Sequence, residues 1–344
     1  MSAKRKTQED IAPLPEWIRG LPKAELHLHL EGTISPATLV ELSRPADASP
    51  LSLEQAEALY RYTDFQGFLL AFKAVSERLR TAEDYELITY NMIRQLAAQG
   101  IAHAEVYVSV GVVYYWKRVE FEPLFAGMER GRTRGERDFG VTVYWIFDAV
   151  RHFGVDEATR VFRKAAELQP AHPSIIGIGI GGDEARGPAD LFRDLYEEAR
   201  DSGLHLTAHA GESTGPESIW GALNIGAERI GHGLSAERDP ELIEVLAQRQ
   251  VPIEICVTSN LRTSCCVDVH DHPLRRYFEH GLMVTLNSDD PAMFGSDLCG
   301  EYTLAHDAFE FTRDHLRELA ANSVEASFLP PGRKIDLLQR IESY

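Results

Sequence analysis

Cysteine is scarce in this sequence, with four residues among 344, and no run of 18 or more apolar residues occurs. None of the cysteines forms a C-x-x-C pair, which argues against a disulfide framework and against a thiolate zinc site. The lack of a long apolar run argues against a membrane partner reached through a spanning helix. Residues 1–10 are polar, without the apolar stretch of a signal peptide. We therefore expect a disordered tail over residues 1–12, free thiols and a cytoplasmic location.

Positive charge is also in short supply, because 35 Lys and Arg residues oppose 53 Asp and Glu residues, for a net charge of −18. A field of this sign repels phosphate backbones, so we expect no nucleic-acid partner. The hydrophobic content of 44% is ample for a large buried core. A chain of this length is ordinary for a single α/β barrel.

Short apolar runs rich in β-branched residues alternate with longer helical patterns from end to end. Near-continuous apolar runs are typical of parallel strands that are covered on both faces. The predicted strands are 24–30, 103–109, 141–147, 175–181, 204–209, 229–231, 251–258 and 283–287. Repeated strand–helix units favour an α/β fold of the (β/α)₈ TIM-barrel class over a doubly wound sheet. We assign residues 13–344 to one such catalytic domain.

Amphipathic helical patterns fill the connections, among them 83–99, 189–202 and 240–248. The connection after the first strand is unusually long and holds at least two helical patterns, including 65–79. Long insertions after a barrel strand usually lie over the carboxyl-terminal mouth of the barrel. We therefore predict a helical, lid-like insertion over residues 33–82.

The first predicted strand contains two histidines, His27 and His29, in the run AELHLHLEG. Side chains alternate along a strand, so both imidazoles point to the same face. Neutral imidazole is a common ligand of divalent metals, zinc among them. Taken alone, the pair fits a chance H-x-H on a surface strand equally well, but its apolar flanks leave few solvated alternatives.

Two later strand ends add donors of the same kind. His209 ends the strand in LTAHAGE, and Asp289 ends the last strand in TLNSDDPAMFG. With His27 and His29 they form a set of N and O donors that leaves room for water, as in a catalytic rather than a structural metal site. All four lie at the carboxyl ends of predicted strands, where barrel enzymes place their chemistry.

Three further residues at these strand ends suit proton transfer. Glu212 follows His209 by three residues, and burial near a metal raises the pKa of such a carboxyl toward working pH. His232 lies between two glycines in RIGHG, which leaves its imidazole unobstructed. Asp290 follows Asp289, and we expect it to hydrogen bond the attacking water. In isolation these residues also fit a helix-start carboxylate, a loop histidine and an Asp-Asp-Pro turn.

Other histidine motifs carry less weight. The H-A-E run at 103–105 matches the H-x-E of cytidine-type deaminases, but the partner P-C-x-x-C is absent. A second H-x-H at 270–272 lies in a polar loop before a helical run, where helix capping is the expected role. His205 is expected in the barrel core.

The combined pattern resembles the adenosine deaminase family, within the amidohydrolase-type barrels. The resemblance covers about residues 20–330, and its motifs are, in order, LPKAELHLHLEGT, GIGGDE, LTAHAGE, RIGHG, VTSN and LNSDDP. It implies a zinc-dependent enzyme that converts a 6-aminopurine to the 6-oxo purine and ammonia. The implied ligands of one zinc ion per chain are His27, His29, His209 and Asp289.

The resemblance also implies roles for the residues around the metal. Glu212 would protonate purine N1, while His232 and Asp290 would orient and deprotonate the attacking water. The backbone N–H of Gly182 would contact purine N3, and Asp183 would lie at the edge of the base. The implied substrate contacts are His29, Gly182, Asp183 and Glu31.

Glu31 departs from the family pattern, because typical adenosine deaminases carry an Asp there that holds a ribose hydroxyl. A Glu is similar to what adenine and aminodeoxyfutalosine deaminases carry, and the segment 105–123 is more similar to the futalosine-pathway branch. The resemblance therefore implies a nucleoside substrate, adenosine or aminodeoxyfutalosine, with free adenine as the alternative. A metal-dependent phosphoesterase or lactonase and a non-catalytic binding protein are more remote alternatives. The oligomeric state stays open, a homodimer included.

Overall fold

The computed structural model describes residues 13–43 and 50–344. The predicted tail, residues 1–12, lies outside the described residues. Within the described ranges, no helix is both long enough and apolar enough to cross a membrane. The four cysteines, all of them in these ranges, are free thiols, as predicted.

Eight parallel strands form a barrel at the centre of the described chain, which confirms the predicted (β/α)₈ class. Each strand pairs with the next, so the spatial order of the strands follows their order in the sequence. The strands are β1 (Lys23–His29), β2 (Ile101–Val108), β3 (Thr142–Val150), β4 (Ile175–Gly181), β5 (His205–Ala210), β6 (Arg229–His232), β7 (Ile253–Ile255) and β8 (Val284–Leu286).

The barrel closes between β8 and β1 through the residues that follow β8. The amide of His29 donates to the carbonyl of Asp289 at 2.9 Å, and the amide of Asp289 donates to the carbonyl of His27 at 3.0 Å. The side-chain oxygen of Asn287 accepts the amides of Leu26 at 2.9 Å and of His27 at 3.1 Å. Closure therefore fixes the backbone of three predicted metal ligands on both sides of the seam.

Helices surround the barrel and fill the connections between its strands. They are α1 (Leu14–Gly20), α2 (Pro36–Leu42), α3 (Leu53–Leu59), α4 (Phe65–Ser76), α5 (Ala82–Ala98), α6 (Val110–Val112), α7 (Glu122–Phe139), α8 (Val155–Leu168), α9 (Arg193–Asp201), α10 (Pro216–Asn224), α11 (Pro240–Arg249), α12 (Val257–Arg262), α13 (Leu274–Glu279), α14 (Pro291–Phe294), α15 (Leu298–Phe309), α16 (Arg313–Ala326) and α17 (Pro331–Glu342). Local sequence explains many of their starts. For example, Thr81 and Asp84 form a reciprocal capping box at the start of α5.

Most predicted boundaries agree with the structure within a few residues. The strand predicted at 175–181 coincides with β4, and the helix predicted at 83–99 is α5 shifted by one residue. The strand predicted at 251–258 was too long, because the apolar run continues into helix α12 once the backbone leaves the extended conformation at Cys256. The helix predicted at 189–202 begins with a 3₁₀ turn before α9.

The expectation for His205 is wrong, because this residue is partly exposed rather than part of the barrel core. It is the first residue of β5. Its ring stacks on Phe328 with centroids 3.8 Å apart, and its Nδ1 lies 3.1 Å from Glu228 Oε2. Because strands enter the barrel at the rim opposite to the site, the first residue of β5 reaches solvent there.

The connection between β1 and α5 contains helices α2, α3 and α4. Phe68, Leu69 and Phe72 of α4 line a cavity at the mouth of the barrel. This placement agrees with an insertion over the mouth. The lid-like role of residues 33–82 stays a prediction.

Candidate active site

The residues singled out from the sequence gather at the rim where the strands end. Parallel strands bring their carboxyl ends to one rim, which is why residues from distant parts of the chain meet there. Seven of these residues line a cavity of about 210 Å³, namely His29, Gly182, His209, Glu212, His232, Asp289 and Asp290. His27 is fully buried next to them, with its ring centroid 5.4 Å from that of His29 and 4.5 Å from that of His209.

The four predicted metal ligands face one another. His29 Nε2 lies 3.3 Å from His209 Nε2 and 3.4 Å from Asp289 Oδ1. His27 Nε2 lies 3.6 Å from the same oxygen of Asp289 and has no hydrogen-bond partner in the described part of the chain. Ligand atoms about 2.0–2.1 Å from one tetrahedral zinc ion stand roughly 3.3–3.4 Å apart. The separations therefore fit a shared cation.

The partners of the other ring nitrogens leave lone pairs for that cation. His27 Nδ1 lies 2.7 Å from Glu254 Oε2, and His209 Nδ1 lies 3.1 Å from the carbonyl of Ile180. Both partners only accept hydrogen bonds, so each Nδ1 carries a proton and each Nε2 presents a lone pair. Burial lowers the pKa of His29 to about 4 and the pKa of His209 well below its ordinary value. Burial also lowers the pKa of His27, but the Glu254 carboxylate more than offsets this and raises it above the ordinary value. Neutral imidazole is the form that binds metals.

Asp289 and Asp290 place two carboxyl groups side by side in a buried site. Asp289 Oδ2 accepts the hydroxyl of Ser259 at 2.6 Å. Burial raises the pKa of Asp289, yet the attraction of the neighbouring imidazoles in their protonated form, His27 first among them, more than offsets this and holds it below the ordinary value. Burial and the charge of Asp289 raise the pKa of Asp290 well above the ordinary value. One carboxylate can thus bind a cation while the other carboxyl exchanges a proton.

Glu212 lies on the loop after β5, and its side chain is only 9% exposed. Burial raises the pKa of Glu212, which favours the protonated form needed in an acid. The loop is held by Glu184, a residue that the sequence did not single out although it belongs to GIGGDE. The Glu184 carboxylate accepts the amides of Gly211 at 2.7 Å, Glu212 at 2.9 Å and Ser213 at 2.8 Å.

His232 is positioned by a chain of hydrogen bonds. The amide of Leu274 donates to His272 Nδ1 at 3.2 Å, and His272 Nε2 then donates to Asn260 Oδ1 at 3.2 Å. Asn260 Nδ2 donates to His232 Nδ1 at 3.1 Å, so the His232 proton sits on Nε2, which lies 3.7 Å from Glu212 Oε2. Helix capping was predicted for this loop, but the N-cap of α13 is Pro273, which has no side-chain cap; His272, one residue earlier, accepts the amide of Leu274 instead. Its contact with Asn260, in the VTSN motif, was missed.

The remaining expected substrate contacts divide into two groups. Gly182 lines the cavity and has a φ of 89°, a conformation that favours glycine. Asp183 and Glu31 do not line it. Asp183 Oδ1 accepts the amide of Arg186 at 3.2 Å, and Glu31 Oε1 accepts the amide of Ser109 at 3.2 Å. Their contacts with substrate stay predictions.

The outer part of the cavity is mainly apolar, although Gln66, Lys73 and His152 also line the cavity. Its wall combines side chains from α4 and from the segments after β2 and β3, namely Phe68, Leu69, Phe72, Trp116 and Phe153. The deeper wall contains a carboxyl group that the sequence did not reveal, Asp148. Asp148 sits in the otherwise apolar run TVYWIFDAV, and only its place at the end of β3 shows that it reaches the cavity.

The chain is similar to known proteins over nearly its full length. The sequence model of a family described as adenosine deaminase matches residues 22–344. An aminodeoxyfutalosine deaminase of Streptomyces avermitilis is 36% identical over 334 residues, which is 96% of this chain and 93% of the relative. An adenine deaminase structure from Arthrobacter aurescens has a TM-score of 0.88 at 33% identity, over 94% of this chain and 98% of its own. A Zn-bound amidohydrolase structure from Burkholderia ambifaria has a TM-score of 0.86 at 25% identity, over 98% and 95%.

Proposed function

Because the chain belongs to the adenosine deaminase family, we propose that it hydrolytically deaminates a 6-aminopurine nucleoside, either adenosine or aminodeoxyfutalosine. The products are the 6-oxo purine nucleoside and ammonia. The 36% identity with an aminodeoxyfutalosine deaminase supports this choice. The apolar outer wall supports it as well, since an N9 substituent with an apolar part would occupy that space.

The observation that carries the proposal is the convergence of donor atoms near the unpartnered Nε2 of His27: Asp289 Oδ1 lies 3.6 Å from it and 3.4 Å from His29 Nε2, which lies 3.3 Å from His209 Nε2. We propose that His27, His29, His209 and Asp289 hold one zinc ion per chain. The bound zinc in the Burkholderia ambifaria amidohydrolase supports this metal. When bound, such an ion lowers the pKa of a coordinated water toward about 7.

The residues around the metal account for the proton transfers. Glu212 gives its proton to purine N1, which makes C6 electrophilic. Water attacks C6 while Asp290, with His232 as the orienting group, takes one of its protons and passes it to the departing amine. Asp290 must be ionised for this step, and a cation held by the neighbouring Asp289 would offset the burial that otherwise keeps the carboxyl protonated. The C6–N bond breaks, ammonia leaves, and the remaining hydroxyl proton returns to Glu212. Each turnover thus consumes one water and leaves the enzyme in its starting protonation state.

Free adenine is the second candidate substrate. The similarity to the Arthrobacter aurescens adenine deaminase favours it. Glu31 is compatible with it, because a Glu at this position is similar to what adenine and aminodeoxyfutalosine deaminases carry, in place of the ribose-binding Asp of typical adenosine deaminases.

A deamination panel tests the proposal. Loss of the 6-amino group changes purine absorbance in the ultraviolet, so adenosine, adenine, 5′-methylthioadenosine and aminodeoxyfutalosine can be compared directly by kcat/KM. We expect the highest value for a nucleoside and about one zinc per chain by metal analysis. Activity on none of the four compounds would contradict the function. Full activity without zinc, or with two ions per chain, would contradict the metal assignment.

A further inference from the structure

Asp148 places a buried carboxyl group in the cavity wall, and the reaction described above does not use it. It lies near the end of β3, is only 4% exposed, and lines the cavity together with Gly182 and His209. Its Oδ1 is buried and has no hydrogen-bond partner among the described residues. An unpaired buried polar atom destabilises a folded protein, so its presence calls for an explanation.

The neighbouring strand β4 makes room for this carboxyl. Asp148 is in register with Gly179, and the next inward position of β4 is Gly181. A Cβ at Gly181 would have Asp148 Oδ2 as its nearest neighbour, at 3.3 Å, and a Cβ at Gly179 would lie 3.1 Å from Asp148 Oδ1 as well as 2.9 Å from both Thr207 Oγ1 and Tyr107 Cε1. These distances are tighter than ordinary van der Waals contact, so side chains there would press on the carboxyl. The glycines therefore keep a slot open in which Asp148 reaches the cavity.

A nearby cation, Arg151, is engaged elsewhere. Its guanidinium donates to the carbonyl of Gly187 at 3.2 Å and to the carbonyl of His209. Burial raises the pKa of Asp148 well above its ordinary value, and the attraction of Arg151 offsets this only in part. A neutral carboxyl group presents both an O–H donor and a carbonyl acceptor to a ligand.

The position of Asp148 relative to the reacting groups indicates which part of a substrate it meets. The residues assigned to proton transfer follow β5, β6 and β8, whereas Asp148 lies on β3. A 6-aminopurine whose C6 and N1 face those residues turns its opposite edge, with N3 and N9, toward β3 and β4. Building on the proposed function, we propose that Asp148 determines specificity by hydrogen bonding a donor on or next to N9. That donor is the N9–H of a free base or a sugar hydroxyl of a nucleoside.

Matched substrate pairs test this role in the wild-type enzyme. One pair is adenine and 9-methyladenine, and the others are adenosine and its 2′-, 3′- and 5′-deoxy analogues. A site built to pair with a donor rejects the analogue that lacks it, so we expect at least a ~10-fold difference in kcat/KM in one pair. Equal kcat/KM values within every pair would overturn this inference and leave the proposed function standing. Failure to deaminate any 6-aminopurine would overturn the proposed function together with it.

Substitution of Asp148 then assigns the discrimination to this residue. Asp148→Ala should lower kcat/KM about 10- to 100-fold for the preferred member of the pair and less than ~3-fold for the analogue that lacks the donor. Asp148→Asn keeps a donor and an acceptor and should restore most of the loss. The control is Asp190→Asn, a surface carboxylate 62% exposed and paired with Arg193, which should change neither value.

Equal losses of kcat/KM for both members of the pair, or no loss at all, would show that Asp148 does not recognise the donor on the substrate. Either result would overturn the inference. Because Asp148 Oδ1 makes no hydrogen bond within the described chain, Asp148→Ala should unfold at the wild-type temperature. If the variant does not fold, the wild-type substrate pairs and Asp148→Asn still decide the question.

Discussion

His232 and Asp289 have positive φ angles of 64° and 62°, although neither is glycine. Such a conformation costs roughly 1–3 kcal/mol and persists only where the surrounding structure imposes it. At Asp289 the imposing contacts are the two backbone hydrogen bonds with His27 and His29 that close the barrel. Barrel closure thus holds the Asp289 carboxylate against the imidazoles in a backbone conformation that is uncommon for a residue other than glycine.

Glu212→Gln tests the proposed acid. Gln has the shape of Glu but no proton to give to N1, so we expect kcat to fall at least ~100-fold. Zinc content should not change, because Glu212 is not among the proposed ligands. Glu217→Gln, on the exposed first turn of α10, is the control. A rate near that of the wild type would rule out Glu212 as the proton donor.

His272→Ala tests the hydrogen-bond chain behind His232. Without the His272 donor, Asn260 is free to turn its amide, and His232 loses its fixed tautomer. We expect kcat to fall about 10-fold with KM nearly unchanged, as measured by steady-state kinetics on the preferred substrate. The matched control is His270→Ala, because His270 is exposed and belongs to the same H-D-H run. Equal effects of the two substitutions on kcat would argue against a role for this hydrogen-bond chain.

At the level of elements, two loops that follow neighbouring strands support each other. Glu184, after β4, holds the loop after β5 through three backbone amides, and it also accepts the hydroxyl of Ser218 on α10. Hydrogen bonds from amides to an ionised carboxylate are stronger than hydrogen bonds between neutral groups. The position of Glu212 therefore depends on an element that does not contact the reacting atoms.

Glu184→Gln should lower the free energy of unfolding by about 1–3 kcal/mol at neutral pH, because an amide cannot accept all of these donors. Burial raises the pKa of Glu184, but the Ser218 hydroxyl, the loop amides and Arg151 more than offset this and hold it below the ordinary value. A depressed folded-state pKa stabilises the fold above the unfolded-state pKa of about 4.3 and loses this effect as the pH falls further. Urea unfolding at several pH values should show the difference from wild type shrinking in acid. A constant difference would contradict this account.

On the scale of the whole molecule, a buried polar chain runs along the inside of the barrel from the metal site. His27 contacts Glu254 at 2.7 Å, and Arg229 lies 2.7 Å from Glu254 and also pairs with Glu105. His103 lies 3.2 Å from Glu105 at the far end. The H-A-E run that matched a cytidine-type motif is therefore part of the barrel interior. Through Glu254, the same chain orients His27.

Arg229→Met should therefore be strongly destabilising, because it leaves Glu105 and Glu254 as buried carboxylates without their cation. The expected loss is about 3–5 kcal/mol in the free energy of unfolding, as measured by urea denaturation. Arg163→Met is the control, because Arg163 pairs with Glu198 at the surface, and it should leave the unfolding midpoint unchanged. A stable Arg229→Met protein with normal zinc content would disprove the link between this buried polar chain and the metal site.

The sequence by itself determined the barrel and the place of its chemistry. The alternation of apolar strand patterns with helical patterns is a local property of the sequence and can be recognised without knowing how the elements pack. The eight strands and the order of the motifs could therefore be predicted directly. His27, His29, His209 and Asp289 could be grouped because parallel strands end at one rim, whichever residues fill the core. The local pattern was less informative at β7, where one apolar run contained both a strand and the start of a helix.

Only the tertiary structure decided which groups support the site, because their roles depend on neighbours far away in the sequence. Glu254 meets His27 across 227 positions, and Asn260 links His232 to His272. In the sequence, Asp148 is only one polar residue in an apolar strand. The structure shows that the glycines of β4 leave space beside its carboxyl group. Side chains of this kind act through contacts made when the barrel closes, and a one-dimensional pattern carries no record of those contacts.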